Sequence, residues 1–206
     1  MTIRLHSGDL PNGLDLGRVV AIDTETLGLE VGRDRLCVVQ LSRGDGTAEI
    51  VQIAPGQKRA PNLEKLLADT KVLKLFHFGR FDIAVMGHAF GVIATPVYCT
   101  KIASKLARTY TDRHGLKDLV RELLGIEISK QQQSSDWGAE TLNEAQLTYA
   151  ASDVLHLHAL REKLDAMLAR EGRDGLARAA FAYLPERARL DIAGFAAVDI
   201  FAHGSP

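Results

Sequence analysis

Arg18-Val19-Val20-Ala21-Ile22-Asp23-Thr24-Glu25 is the stretch whose reading decides the fold. A short, continuous apolar run with β-branched residues, bounded by Gly17 and Gly28, reads as a buried central strand. Side chains alternate along a strand, so Asp23 and Glu25 share one face and Thr24 takes the other. Two carboxylates at the end of a buried strand repel each other, and burying them unpaired costs several kcal/mol, roughly. A hard divalent cation between them removes both problems. Taken alone, the same pair also fits a solvated strand end with no function.

Outward from this strand, Leu36–Ser42 and Ala48–Ile53 read as strands joined by the hairpin signal Arg43-Gly44-Asp45-Gly46. Residues 2–6 suit a short edge strand. A helix is predicted at 61–69, with Pro61 in its first turn. Val72–His77 and Pro96–Thr100 read as further strands. The former is followed by a helix from Gly79, the latter by one ending about Arg108. Leu116, Leu119, Val120, Leu123 and Leu124 have helical period and stop at Gly125. Ser129–Ser135 reads as loop. Thr141 and Glu144 have capping-box spacing and open one long helix, expected to run to about Arg170. This order gives an α/β domain, a mixed sheet of five to six strands flanked by helices. We expect one domain over 1–172. Beyond Gly172 a helical tail, 173–206, opens with a short apolar helix from Leu176 to Leu184.

Composition limits the function. Among 206 residues the formal net charge is −1, and the sequence pI is about 6.7. Proteins that track long nucleic acid carry a basic excess, so a nucleic-acid partner here is expected to be short or gripped locally. Cys37 and Cys99 lie in apolar, strand-like runs and read as core thiols. No segment reaches the ~20 apolar residues of a membrane span, and the N-terminus lacks a signal-peptide core. A cytoplasmic protein is expected.

Two further elements supply acids. Asp82 follows a strand, five residues after His77, where a side chain enters the crevice at the sheet's carboxyl edge. Helix-start acidity accounts for it equally well. Tyr149 and Asp153 lie four apart, on one helix face among Leu147, Ala150, Ala151 and Val154. Oxygen ligands without a Cys or His cluster suit Mg²⁺ or Mn²⁺ and not zinc. Two such ions roughly 3.5–4 Å apart form the clamp used for in-line displacement at phosphorus.

On these residues the chain resembles the ribonuclease D type of 3′–5′ exonuclease, the DEDDy group. The matching stretches are Asp23-Thr24-Glu25, His77-Phe78-Gly79-Arg80-Phe81-Asp82 and Tyr149-Ala150-Ala151-Ser152-Asp153. His114–Val120 and Lys130–Trp137 look like the family as well. The resemblance implies a ribonuclease H-like fold, with two metals held by Asp23, Glu25, Asp82 and Asp153. It also implies that Tyr149 orients the attacking water. By the same resemblance Thr26 and Leu27 meet the 3′-terminal nucleotide, with Leu27 wedged against its base. His77 is a substrate ligand or a core histidine, and Trp137 stacks on a base or caps the core. Basic residues from Lys101 to Lys130, Arg108 and Arg113 among them, either receive phosphates or form a solvated face.

Ribonuclease D itself carries helical modules after its exonuclease domain, and the tail here is too short for one. Its length and its opening, Ile3-Arg4-Leu5-His6, look like the stand-alone nanoRNase C group, which acts on dinucleotides. That resemblance implies short single-stranded RNA as substrate and a homo-oligomer, for which the apolar tail residues Ile192, Phe195, Val198, Ile200 and Phe201 offer a surface. Two alternatives remain: an exonuclease trimming longer RNA or DNA, and an inactive nucleic-acid-binding adaptor.

Overall fold

The computed structural model describes residues 1–129 and 131–204, so Lys130 and the last two tail positions lie outside the described residues. Six strands form one mixed sheet in the order β1-β4-β3-β2-β5-β6. They are β1 Thr2–Ser7, β2 Val19–Thr26, β3 Leu36–Ser42, β4 Thr47–Gln52, β5 Leu73–Phe76 and β6 Val97–Cys99. β2, β3 and β4 make the expected antiparallel meander. β5 runs parallel to β2, and β6 parallel to β5. β1 runs parallel to β4, so every strand but β3 delivers its carboxyl end to one edge, where an α/β sheet places its ligands. The centre of the meander is buried because both faces are covered. β3 is buried at every position, and Val20, Ala21, Ile22, Val38 and Val39 are fully enclosed.

The helices are α1 Pro61–Ala68, α2 Arg80–Phe90, α3 Thr100–Ala107, α4 Leu116–Leu119 (continuing as a π-helical turn to Leu124), α5 Glu144–Leu155, α6 Leu157–Arg170 and α7 Asp174–Leu190. Both cysteines are buried and free, as expected. Among the described residues no helix is long and apolar enough to cross a membrane.

Three boundaries differ from the sequence expectation. The long helix is two helices, divided at His156. α5 packs on β2, β3 and β4, whereas α6 turns its Leu157, Leu160, Leu164 and Leu168 stripe towards α3 and β5. One straight rod cannot serve both surfaces. The capping box belongs to Asn143 and Gln146, not to Thr141 and Glu144. Asn143 Oδ1 accepts from the Gln146 amide at 2.9 Å, and Gln146 Oε1 accepts from the Asn143 amide at 3.0 Å. The Gln146 side chain also donates to the Asp136 carbonyl at 3.0 Å, a bond that Glu144 cannot offer. α7 runs well past Leu184 and through Pro185, which lies with Phe181, Leu184 and Ala188 on the buried face. That burial offsets the hydrogen bond a proline withholds.

Candidate active site

Asp23 and Glu25 leave β2 on the same face, and Asp153 comes down to them from α5. One carboxylate oxygen from each lies within 4.8 Å of the others. The register of β2 against β3 slips between Glu25 and Thr26. Such a bulge bends the strand and redirects the side chains beside it. Asp82, the fourth acid, stands apart from this group of three. It is 5% exposed at the start of α2, and its Oδ1 accepts from Thr24 Oγ1 at 2.6 Å. Thr24 faces away from Asp23 and Glu25, so the motif reaches Asp82 through its middle residue.

The electrostatics are those of a site built for a cation. Burial pushes the Asp23 carboxyl well above its usual range, and Asp82, Asp153 and Glu25 push it further. Burial and then Asp153 and Asp82 push Glu25 up to about 9. Asp82 is pushed up to about 6 by burial, against the hydrogen bond from Thr24. Every charge acting on Asp23 and Glu25 is another carboxylate. A protein that places three acids together without a lysine or arginine between them leaves that position to a cation. The donor set, all oxygen, fits Mg²⁺ or Mn²⁺.

Tyr149 lies one helical turn before Asp153 and hydrogen-bonds to its carboxylate. Burial, then the Asp153 and Glu25 charges, hold its phenol above the ordinary tyrosine value. At neutral pH it is therefore a hydroxyl that donates, not a base. Trp137 packs beside it, with ring centroids 5.9 Å apart. Trp137 is 2% exposed and belongs to a small core with Cys37, Val38, Ile50, Leu142 and Ala150. It caps the core and holds the Tyr149 ring; the expectation of an open stacking face is corrected.

Leu27 is exposed beside the acids, and a Cβ on Gly138 would stand 2.8 Å from its Cδ2. Arg35 ties these two segments together, donating to the carbonyls of Gly138 and Ile53. Thr26 turns its hydroxyl to the Gly28 carbonyl. His77 Nδ1 lies 2.9 Å from Thr100 Oγ1, at the carboxyl ends of β5 and β6. Arg113 is exposed. Arg108 is not: it is 1% exposed, ion-paired with Glu122, and donates to the Arg113 carbonyl at 2.9 Å and to Ser104 Oγ at 3.2 Å. A guanidinium so fully engaged braces the 109–114 loop. It is not offered to a phosphate.

Sequence reasoning missed Gln40. It sits opposite Asp23 in the β2–β3 register, is fully buried, and donates to Asp23 Oδ2 at 2.7 Å. The signal was the one amide in the otherwise apolar run Leu36–Leu41.

Comparison with known proteins agrees with this geometry. Residues 9–169 match the family model described as 3′–5′ exonuclease. Ribonuclease D of Gluconacetobacter diazotrophicus is 39% identical over 154 residues, 75% of this chain and 39% of that protein. Ribonuclease D of Granulibacter bethesdensis is 41% identical, over 75% of this chain and 38% of that protein. The chain thus spans about two-fifths of the length of the curated relatives it matches. Brucella melitensis NrnC, solved with bound Mg²⁺, is 61% identical and superposes over 99% of this chain and 100% of its own, with a TM-score of 0.96. The same protein solved bound to pGG is 62% identical, at equal coverage and TM-score. Escherichia coli RNase D, 26% identical, has a TM-score of 0.74 over 84% of this chain and 45% of its own. By sequence and by structure alike, the chain belongs to the 3′–5′ exonuclease family, alongside NrnC.

Proposed function

We propose that this protein is a metal-dependent exoribonuclease that hydrolyses very short RNA, dinucleotides above all, to nucleoside 5′-monophosphates. The observation that carries the reading is the Asp23, Glu25 and Asp153 triad with Tyr149 beside it. It sits in a chain that matches, end to end, a nuclease seen with a dinucleotide.

Asp23, Glu25 and Asp153 would hold one Mg²⁺ or Mn²⁺ ion, and Asp23 with Asp82 a second. Such a pair supplies polarisation of the phosphodiester and activation of the attacking water. The protein's own groups do the positioning. Gln40 holds Asp23 by one oxygen, and Thr24 holds Asp82 by one oxygen, so each carboxylate keeps the other free to act as a ligand. Tyr149 orients the water by its hydroxyl and, with its pKa raised, leaves proton removal to other groups. Thr26 and Leu27 receive the 3′-terminal nucleotide, and His77 and Arg113 lie further along the substrate. Water attacking the last phosphodiester breaks its bond to the upstream 3′ oxygen. The phosphate therefore leaves as a 5′-monophosphate.

In this reading residues 1–172 hold the chemistry and 173–206 offer the surface of a homo-oligomer. Phe195, Val198, Ile200 and Phe201 are between 44% and 76% exposed, more than a free terminus needs. Arg80 and Arg187 both bond Asp191, which fixes the start of that surface against α2. Light scattering tests the assembly, and a monomer refutes it. The chemistry is tested by product analysis on 3′-labelled and 5′-labelled RNA. Loss of turnover is expected in EDTA and in Asp23→Ala, Glu25→Ala, Asp82→Ala and Asp153→Ala. Near-normal rates in any of the four, with metal present, contradict the assignment.

A further inference from the structure

Arg80 is the first residue of α2, and Gly79, its N-cap, has no side chain with which to hold the first turn. An arginine there adds to the positive end of the helix dipole, so on its own it weakens the turn that carries Asp82. The compensating anion comes from far along the chain. Arg80 donates from Nε to Asp191 Oδ2 at 2.6 Å and from Nη2 to Asp191 Oδ1 at 2.7 Å. The Asp191 side chain is 7% exposed, so water and salt screen this two-pronged pair little.

Asp191 opens the turn Asp191–Phe195, which follows α7 and bends at Gly194, φ 94°, a conformation that suits glycine. The carbonyls beyond the bend are taken by two guanidiniums. Arg80 donates to Ala196 at 2.7 Å, and Arg187 to Phe195 at 2.7 Å and to Val198 at 3.2 Å. Arg187 also donates to Asp191 Oδ1 at 2.7 Å. Ile192 then meets α2 a second time. A Cβ on Gly87 would stand 3.0 Å from Ile192 Cδ1, so the glycine leaves the isoleucine its place. Arg80 and Gly87 are seven residues apart, two helical turns, and share a face. The tail grips α2 at two points on one side.

Asp82 lies two residues after Arg80, about 200° around the helix, and therefore on the opposite side. There Thr24 holds it. The first turn of α2 is thus clamped between β2 and the tail. Thr24 fixes one oxygen of Asp82, and the tail fixes the backbone from which Asp82 projects. A metal ligand has to be held within about 0.5 Å of its productive place, which one hydrogen bond to a side chain does not secure for a whole helical turn.

We propose that Asp191 is a positioning residue for the metal site: through Arg80 it holds the first turn of α2, and so sets where Asp82 stands. This rests on the two-metal reading above and extends it to a residue of the tail.

The test compares Asp191→Asn with Phe201→Asp, a change in the tail at a residue 76% exposed, both in the full chain. In Asp191→Asn, Mn²⁺ affinity by calorimetry and kcat on one dinucleotide are each expected to fall about tenfold, with KM within a few-fold. In an Asp82→Asn background the same change is expected to leave Mn²⁺ affinity where Asp82→Asn alone puts it, because Asp191 acts through Asp82. In metal-free protein, amide exchange over residues 80–87 is expected to quicken about tenfold while β2 and α5 keep their wild-type rates. A further fall in the Asp82→Asn background, or an equal fall in Phe201→Asp, overturns the proposal. So does exchange over 80–87 that is unchanged, or that quickens equally in β2 and α5. If wild type and Asp82→Asn bind Mn²⁺ alike, the two-metal reading fails, and the exchange rates still decide whether Asp191 holds the turn that carries Asp82.

Discussion

Asp82→Asn is expected to inactivate this protein and, without metal, to stabilise it above neutral pH. Asp82 is 5% exposed, and burial holds its carboxyl up to about 6 against an ordinary 3.8. Its folded pKa exceeds its unfolded one, so between those values the folded state keeps a proton that the unfolded chain has lost. Stability therefore falls as pH rises, by up to about 1.4 kcal/mol per pH unit for each proton so retained. Over the interval at Asp82 the loss is about 3 kcal/mol, complete by about pH 7. For a domain of this size that is about 6–12 °C in melting temperature. Glu25, pushed up to about 9, extends the decline to higher pH. Asparagine keeps an acceptor for the Thr24 hydroxyl and carries no charge, so it removes this term and eases the repulsion on Asp23 and Glu25. The assay is differential scanning calorimetry in EDTA from pH 5 to 8.5, for wild type and variant, repeated with Mg²⁺. Wild type should melt progressively lower as pH rises, the variant less so, and saturating Mg²⁺ should abolish the decline in wild type. An equal or steeper decline in Asp82→Asn refutes the reasoning.

Tyr149→Phe should lower kcat strongly and leave KM within a few-fold. Its pH–rate profile should keep the wild-type shape, because a phenol raised above its ordinary pKa is not the base; a lost acid limb contradicts this. Gln40→Leu frees Asp23 Oδ2 from its donor, and Mn²⁺ affinity measured by calorimetry should fall about tenfold or more. Arg108→Met should leave dinucleotide KM within a few-fold and cost about 1–3 kcal/mol of stability in urea, since Glu122 and the Arg113 carbonyl lose their donor.

The sequence was most legible where one period dominates. The apolar run into Asp23 and the Gly-Asp-Gly hairpin determined the meander, because strand pairing and turn chemistry are local. The same locality failed at His156. Val154 and Leu157 continue one helical pattern, and only the two surfaces beneath them show that the axis must break. Two overlapping capping boxes lie two residues apart, and the choice between them rests on Asp136, outside the helix. In the site, residue type told which groups carry the chemistry but not how they are held. Asp82 looked equivalent to the other acids, yet it hangs from Thr24, apart from their group of three. Arg108 stood among the basic residues between Lys101 and Lys130 as a phosphate ligand or a solvated charge, and the polar neighbours of Trp137 left stacking and capping both open. Burial is a property of distant partners such as Glu122 and Cys37, which no window around either residue contains.

The central claim is that the chemistry acts on RNA too short to need any further binding surface. Single-turnover rates on 5′-phosphorylated RNAs from two to ten nucleotides, at saturating protein with Mg²⁺, test it most directly. The account predicts the fastest hydrolysis at two nucleotides and a steep fall for each longer chain. Equal rates across the series, or rates rising with length, would contradict it.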